Sequence, residues 1–151
     1  MAIYKSVTGG VLMNYVDTVT GEACVAKLSV ADGVIAKGNV VCHAQAGTNG
    51  RYIICPTTGN ERTMPLGIAL TAAAGAGSTF WMAFSGEVEV LPDSGITAIM
   101  GYQIITSANE AGRVEQASSQ GSTTLHFNEV GHWGKAGTGA GVLTLADIHF
   151  N

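Results

Sequence analysis

The sequence predicts an all-β fold: a compact β-barrel or β-sandwich built from two tandem related copies, with an extended N-terminal arm. Three observations carry this expectation. Strand-like runs recur at short intervals, punctuated by Gly, Asn, Asp and Pro. No segment keeps a helical period over about ten residues, and Ala72-Ala73-Ala74, between Thr71 and Gly75, is too short to nucleate a helix. Glycines recur at a nearly constant spacing in two successive stretches of chain.

The expected strands are, in order, Val11–Val16, Ala23–Val30, Asn39–His43, Arg51–Cys55, Leu66–Thr71, Thr79–Phe84, Glu87–Leu91, Tyr102–Ser107, Thr123–Val130 and Val142–Phe150. The repeat is one of punctuation. Gly21, Gly33, Gly38, Gly50, Gly67 and Gly75 recur as Gly86, Gly95, Gly101, Gly112, Gly131 and Gly139, with every offset between 62 and 65. Glycines at matching places mark turns or close backbone approaches. The chain therefore divides into an arm, residues 1–20, and two copies, residues 21–85 and 86–151, which together form one joint domain. In the arm, Val11, Met13 and Tyr15 alternate with Leu12, Asn14 and Val16, so a strand is expected. That strand could add to its own sheet edge or to a neighbouring subunit.

Composition bounds the function. The 151 residues suffice for a hydrophobic core without disulfides. Charged residues make up 12%, about half the usual share of roughly 25%. Mean hydropathy is +0.28. Disorder is excluded by this apolar character. A net charge of −4 argues against a nucleic-acid partner. So poorly charged a surface suggests extensive contact with other protein.

The N-terminus lacks a basic region followed by a long apolar stretch, so no signal peptide is expected. The uncharged stretch Thr63–Gly86 is long enough to span a membrane, but Pro65, Gly67, Gly75 and Gly77 interrupt it, and no membrane association is expected. Cys24, Cys42 and Cys55 form no CxxC pair and read as small apolar strand residues.

Candidate chemistry is sparse. Among the histidines, the best metal-like cluster is His126 with Glu129 and His132, but Gly131 is expected to break that run, and no metal or cofactor is assigned. Glu87 and Glu89 share a strand face and read as a charged, solvated edge strand. Gly137-Thr-Gly-Ala-Gly141 precedes a strand rather than the helix a dinucleotide loop needs. Cys42 and His43 are adjacent on a strand and point to opposite faces, so they form no dyad. Arg51 and Arg113, each after Gly, suit turn or interface contacts. Trp81 and Trp133 are core or interface anchors. With Tyr4, Val11, Met13 and Tyr15 they make up the candidate interface set. No catalytic residue is expected.

The string Pro65-Leu-Gly-Ile-Ala-Leu-Thr-Ala-Ala-Ala-Gly75, then Ser85-Gly86-Glu-Val-Glu-Val-Leu91, and the earlier Gly38-Asn-Val-Val carry a resemblance. They resemble the small β-barrel capsid cement, or head decoration, proteins of tailed bacteriophages. Such proteins often read as a Gly-Asp-x-Val-type strand, a Gly-Val-Ala-Leu strand, an Ala/Gly-rich turn and a closing Gly-Val strand. Here Asn39 stands where an acidic residue is common, and Trp133 departs from the Gly-Ile-Ala-Leu pattern. The resemblance implies a non-enzymatic virion protein on the outer capsid surface, assembled in the host bacterial cytoplasm. Its partner would be the major capsid protein, and it would itself form a trimer or dimer. The alternatives are a tail or fibre accessory module, and a small metal-dependent β-barrel enzyme using His126, His132 or His149.

Overall fold

The computed structural model describes residues 2–6, 12–17, 20, 22–44, 50–59, 64–118, 128–137 and 141–150. For residues 2–6 and for 12–17 apart from Val16, it describes the backbone. The fold is all-β, with no helix among the described residues. Among the described residues eleven strands run in chain order: β1 (Ala2–Ser6), β2 (Leu12–Asp17), β3 (Ala23–Ala31), β4 (Val40–His43), β5 (Arg51–Ile54), β6 (Gly67–Ala69), β7 (Thr79–Val90), β8 (Gln103–Thr106), β9 (Val114–Gln116), β10 (Glu129–Trp133) and β11 (Thr144–His149). They form one sheet in the order β1-β2-β3-β5-β4-β6-β7-β11-β10-β8-β9, with a further pairing of β3 to β7.

The pairings recur along the chain. Val40↔Ile68 and Val41↔Gly67 join β4 to β6, and Gln103↔His132 and Ile104↔Gly131 join β8 to β10. Ile68↔Ala83 and Ala69↔Met82 join β6 to β7, and His132↔Asp147 and Trp133↔Ala146 join β10 to β11. In each case the second pair lies 63 or 64 residues further on. The parallel contact Val30↔Arg51 between β3 and β5 is matched by the parallel bridge Pro92↔Val114. From β3 the pairings pass to β7, β6, β4 and β5 and return to β3. From β7 they pass to β11, β10, β8 and β9, and the Pro92 bridge returns from β9 to the end of β7.

β7 is the element common to both circuits. Instead of two strands split at Ser85/Gly86, one strand runs through that boundary. Its register against β3 shifts between Val25 and Ala26, so that Phe84 is the extra residue of a bulge. A bulge reverses which alternate residues face which side. Before it, Phe80 and Met82 enter a cluster with Ala31, Ile35, Val41, Tyr52, Ala69 and Ala73. After it, Val88 and Val90 enter the larger cluster. Gly86 has φ +103, and a Cβ there would meet the Ala23 carbonyl oxygen and Cys24 Cα. Only glycine allows β3 and β7 to lie so close at that point.

The larger cluster draws on both halves of the chain. Cys24, Ala26, Val40, Cys42 and Ile68 pack with Ile104, Val130, Trp133, Ala146 and Ile148. β4 has Val40 and Cys42 in this cluster and Val41 in the other. Burial on both faces explains the apolar run Val40–Cys42, before the exposed His43. The three cysteines are buried free thiols, as expected of small apolar residues. Burial, with Glu22 adding to it, pushes the Cys24 thiol up to about 12. A hydrogen bond with Cys42, and then burial, push Cys55 upward.

Three sequence expectations need correction. β1 and β9 stand where the sequence predicts no strand. Gly131 interrupts its run as a bulge and not as an end: the register against β8 shifts between Glu129 and Gly131, and β10 continues to Trp133. Glu87 and Glu89 are not on an edge strand. β7 is flanked by β11 along residues 85–90 and by β3 through Glu87, so Glu87 is paired on both sides, and Glu89 pairs with β11 and, through its N–H, with the Glu22 side chain.

Candidate functional site

The candidate interface residues fall into three settings. Tyr4 lies in β1, opposite Tyr15 of β2. Met13 and Tyr15 pair with Ala26 and Cys24 of β3. Val11 lies outside the described residues. The stretch expected as an extended arm thus includes a hairpin, and β2 is hydrogen-bonded to the chain's own β3. β1 stands at the end of the strand order and, among the described residues, pairs with β2 alone. Trp81 is half-buried on β7, opposite the exposed Leu28. Trp133 is 1% exposed, so it is a core residue and not an interface anchor.

Its position explains the departure noted in the sequence. Trp133 stands on β10 where Ala69 stands on β6. Ala69 is paired with Met82, and Trp133 with Ala146. A small–large pair in one half is replaced by a large–small pair in the other, which keeps each interior filled.

The exposed apolar residues include Val34, Met64, Ile99, Met100, Tyr102 and Val142. Three of these flank one turn, where Tyr102 N–H donates to the Ile99 carbonyl at 3.0 Å and Gly101 N–H to the Trp133 carbonyl at 2.7 Å. The turn is therefore tied to the core while its side chains face solvent.

Charged residues are used structurally. Glu22 is 1% exposed at the start of β3. Its Oε1 accepts from the Glu89 N–H at 3.1 Å, and its Oε2 accepts from the Thr20 hydroxyl at 3.2 Å. Lys37 Nζ lies 2.8 Å from Glu89 Oε2 and 3.7 Å from Glu22 Oε1. One ammonium thus bridges two carboxylates and ties the loop before β4 to β3 and β7. Glu89 is held in this bridge, and Glu87 is exposed. Arg51 pairs with Asp32 at 3.4 Å. Arg113 pairs with Glu110 at 3.3 Å and donates to the Pro92 carbonyl. Both arginines make the turn contacts that their placement after Gly suggested.

Asp93 is buried beside the Pro92 bridge, and its N–H donates to the Val114 carbonyl. Its Oδ2 accepts from the Ser107 hydroxyl at 2.8 Å and from Asn109 Nδ2 at 3.2 Å. Its Oδ1 accepts from the Ser94 N–H at 2.7 Å. Burial pushes its pKa up, but hydrogen bonds with Glu110, Ser107, Asn109 and the Ser94 N–H outweigh that and hold it below 3.8.

The histidines behave differently from expectation. His126 lies outside the described residues, and His43 stacks on Tyr52 with ring centroids 5.1 Å apart. His132, Glu129 and His149 bring one ligand atom each within 4.8 Å of one another. His132 Nδ1 is 3.2 Å from His149 Nε2, and His149 Nε2 is 3.6 Å from Glu129 Oε1. Two local devices make the cluster. His132 pairs with Asp147, so His149 is its diagonal same-face neighbour on β11. Glu129, three residues before His132, would face the other way on a regular strand. The register of β10 against β8 shifts between Glu129 and Gly131, and this bulge turns Glu129 to the side of His132. The missing signal was the β10–β11 register, which brings in His149.

No protein-family model and no curated protein matches this chain.

Proposed function

We propose that this protein is a structural virion component of capsid cement or head decoration type, which binds the outside of a tailed-phage shell and reinforces it. The observation that carries the reading is the N-terminal hairpin, whose β1 lies at the end of the sheet with its outer edge facing away from β2. A strand edge of this kind is a ready site for pairing with another chain. The low charge and the solvent-facing Ile99, Met100 and Tyr102 support the same reading, because they suit surfaces made to meet protein.

The fold reading that accompanies it is of two tandem units, each a small five-stranded barrel, sharing β7. The matching registers of β4–β6 with β8–β10, and of β6–β7 with β10–β11, support it. So do the two parallel contacts that bring each circuit back to its start. A rigid body of this kind needs no active site. Weak contacts repeated over a lattice yield high occupancy through avidity. The partner is the major capsid protein, and the protein itself forms a dimer or trimer.

The test is co-sedimentation with empty shells of the major capsid protein encoded in the same genome. The full chain should co-sediment. A chain lacking residues 1–20 should lose most of its occupancy. Unchanged occupancy would overturn the role of the hairpin, and failure of the full chain to bind would overturn the capsid reading.

A further inference from the structure

We propose that Glu129, His132 and His149 form a binding site for a divalent transition-metal ion of the zinc class. The inference is independent of the capsid reading.

Donor chemistry is the first argument. Two imidazoles and one carboxylate are the ligand types that such ions take, whereas calcium and magnesium prefer oxygen donors throughout. Distance is the second. Ligand bonds of about 2.0–2.1 Å at tetrahedral angles place donor atoms roughly 3.3–3.4 Å apart. The observed separations of 3.2 Å and 3.6 Å bracket that value. The three ligand atoms all lie within 4.8 Å of one another, a set that side-chain rotation could close onto one ion.

Placement is the third argument. Glu129 is 7% exposed, at the floor of the cluster, while the His149 side chain is 46% exposed. The site is thus open on one side, which leaves a coordination position for water or for a donor from another molecule. Two of the ligands sit on paired strands, and the third is turned inward by a bulge, so the set is held by backbone pairing rather than by a loop.

The fold itself does not require these residues. At the matching positions of the first half, Ile68 stands for His132, and Ser85 stands for His149. The first half builds the matching register, Ile68↔Ala83, with an aliphatic side chain where His132 stands.

The test uses the full chain freed of metal by chelation. Zn²⁺ uptake is measured by equilibrium dialysis, and Co²⁺ binding by its visible d–d absorption. The expected result is one ion per chain, with Co²⁺ bands of a four- or five-coordinate site. H132A and H149A should each weaken binding by at least the roughly 10–100-fold that loss of even an outer-shell partner causes. E129Q should weaken it as well, and H43A should leave it unchanged. H149A changes an exposed side chain, so its fold is expected to persist; native circular dichroism serves as the control. No stoichiometric uptake by the full chain, or uptake that H132A and H149A leave unchanged, would overturn the proposal.

Discussion

Trp133 shows how one side chain settles a question that its residue type leaves open. A buried tryptophan and an exposed interface tryptophan look alike in sequence, and here the indole is enclosed by the larger core cluster. Its Nε1 has no hydrogen-bond partner among the described residues. Trp133→Ala should destabilise the fold by about 3–5 kcal/mol through the cavity it leaves. Trp133→Phe should cost distinctly less, because it keeps part of the ring volume and removes an unsatisfied N–H. Chemical denaturation of the two variants checks this order. Asp93 supplies the pH dependence at this scale. Its folded pKa lies below its unfolded value, so ionised Asp93 stabilises the fold above about pH 4. That contribution falls away as pH drops below about 4 and through the folded pKa. Asp93→Asn should lower stability near neutral pH by about 1–3 kcal/mol and flatten this part of the acid profile. Thermal melts of both proteins from pH 7 down to pH 3 would show whether the difference shrinks toward acid.

At the scale of elements, bulges do what alternation cannot. The extra residue in β7 near Phe84 transfers the strand from one core to the other. The extra residue in β10 turns Glu129 toward His132. Gly131 sits beside the second bulge with φ +151, and a Cβ there would meet the Asp147 carbonyl oxygen and lie 2.8 Å from Ile148 Cα. Gly131→Ala should therefore force β10 away from β11 and cost about 1–3 kcal/mol. Proton exchange at the Trp133 amide, which donates to the Tyr102 carbonyl at 2.9 Å, should accelerate with it. A variant with wild-type stability and unchanged exchange would contradict this account of the bulge. Gly131 interrupts the regular run, as a strand glycine at a bulge does, and it is also a steric necessity inside a paired strand.

At the scale of the whole molecule, β7 and the shared core make the halves interdependent. The larger cluster takes Cys24, Val40 and Ile68 from one half and Val130, Trp133 and Ile148 from the other. Cutting at Ser85/Gly86 would divide β7 and leave each fragment with an open circuit and an exposed core face. The two fragments should be unfolded alone and regain β structure when mixed. The intact chain should unfold in one transition. Circular dichroism of the fragments, separate and combined, checks this, and a fragment that folds alone would argue against a joint core.

The all-β class, most strand positions, the turn glycines and the buried character of the cysteines are legible in the sequence. These rest on local physics: alternation of side chains along a strand, the helix-breaking spacing of Gly and Pro, and the φ freedom of glycine. It also carried the 62–65-residue spacing that the strand registers follow. Long-range pairing is what sets Glu87 between two strands, makes Trp133 core, builds a hairpin on β3 from residues 1–20, and joins His149 to His132 and Glu129. Each of those depends on register between strands far apart in the chain. A shift of one residue reverses every side chain on a strand, so no short stretch of sequence contains the answer.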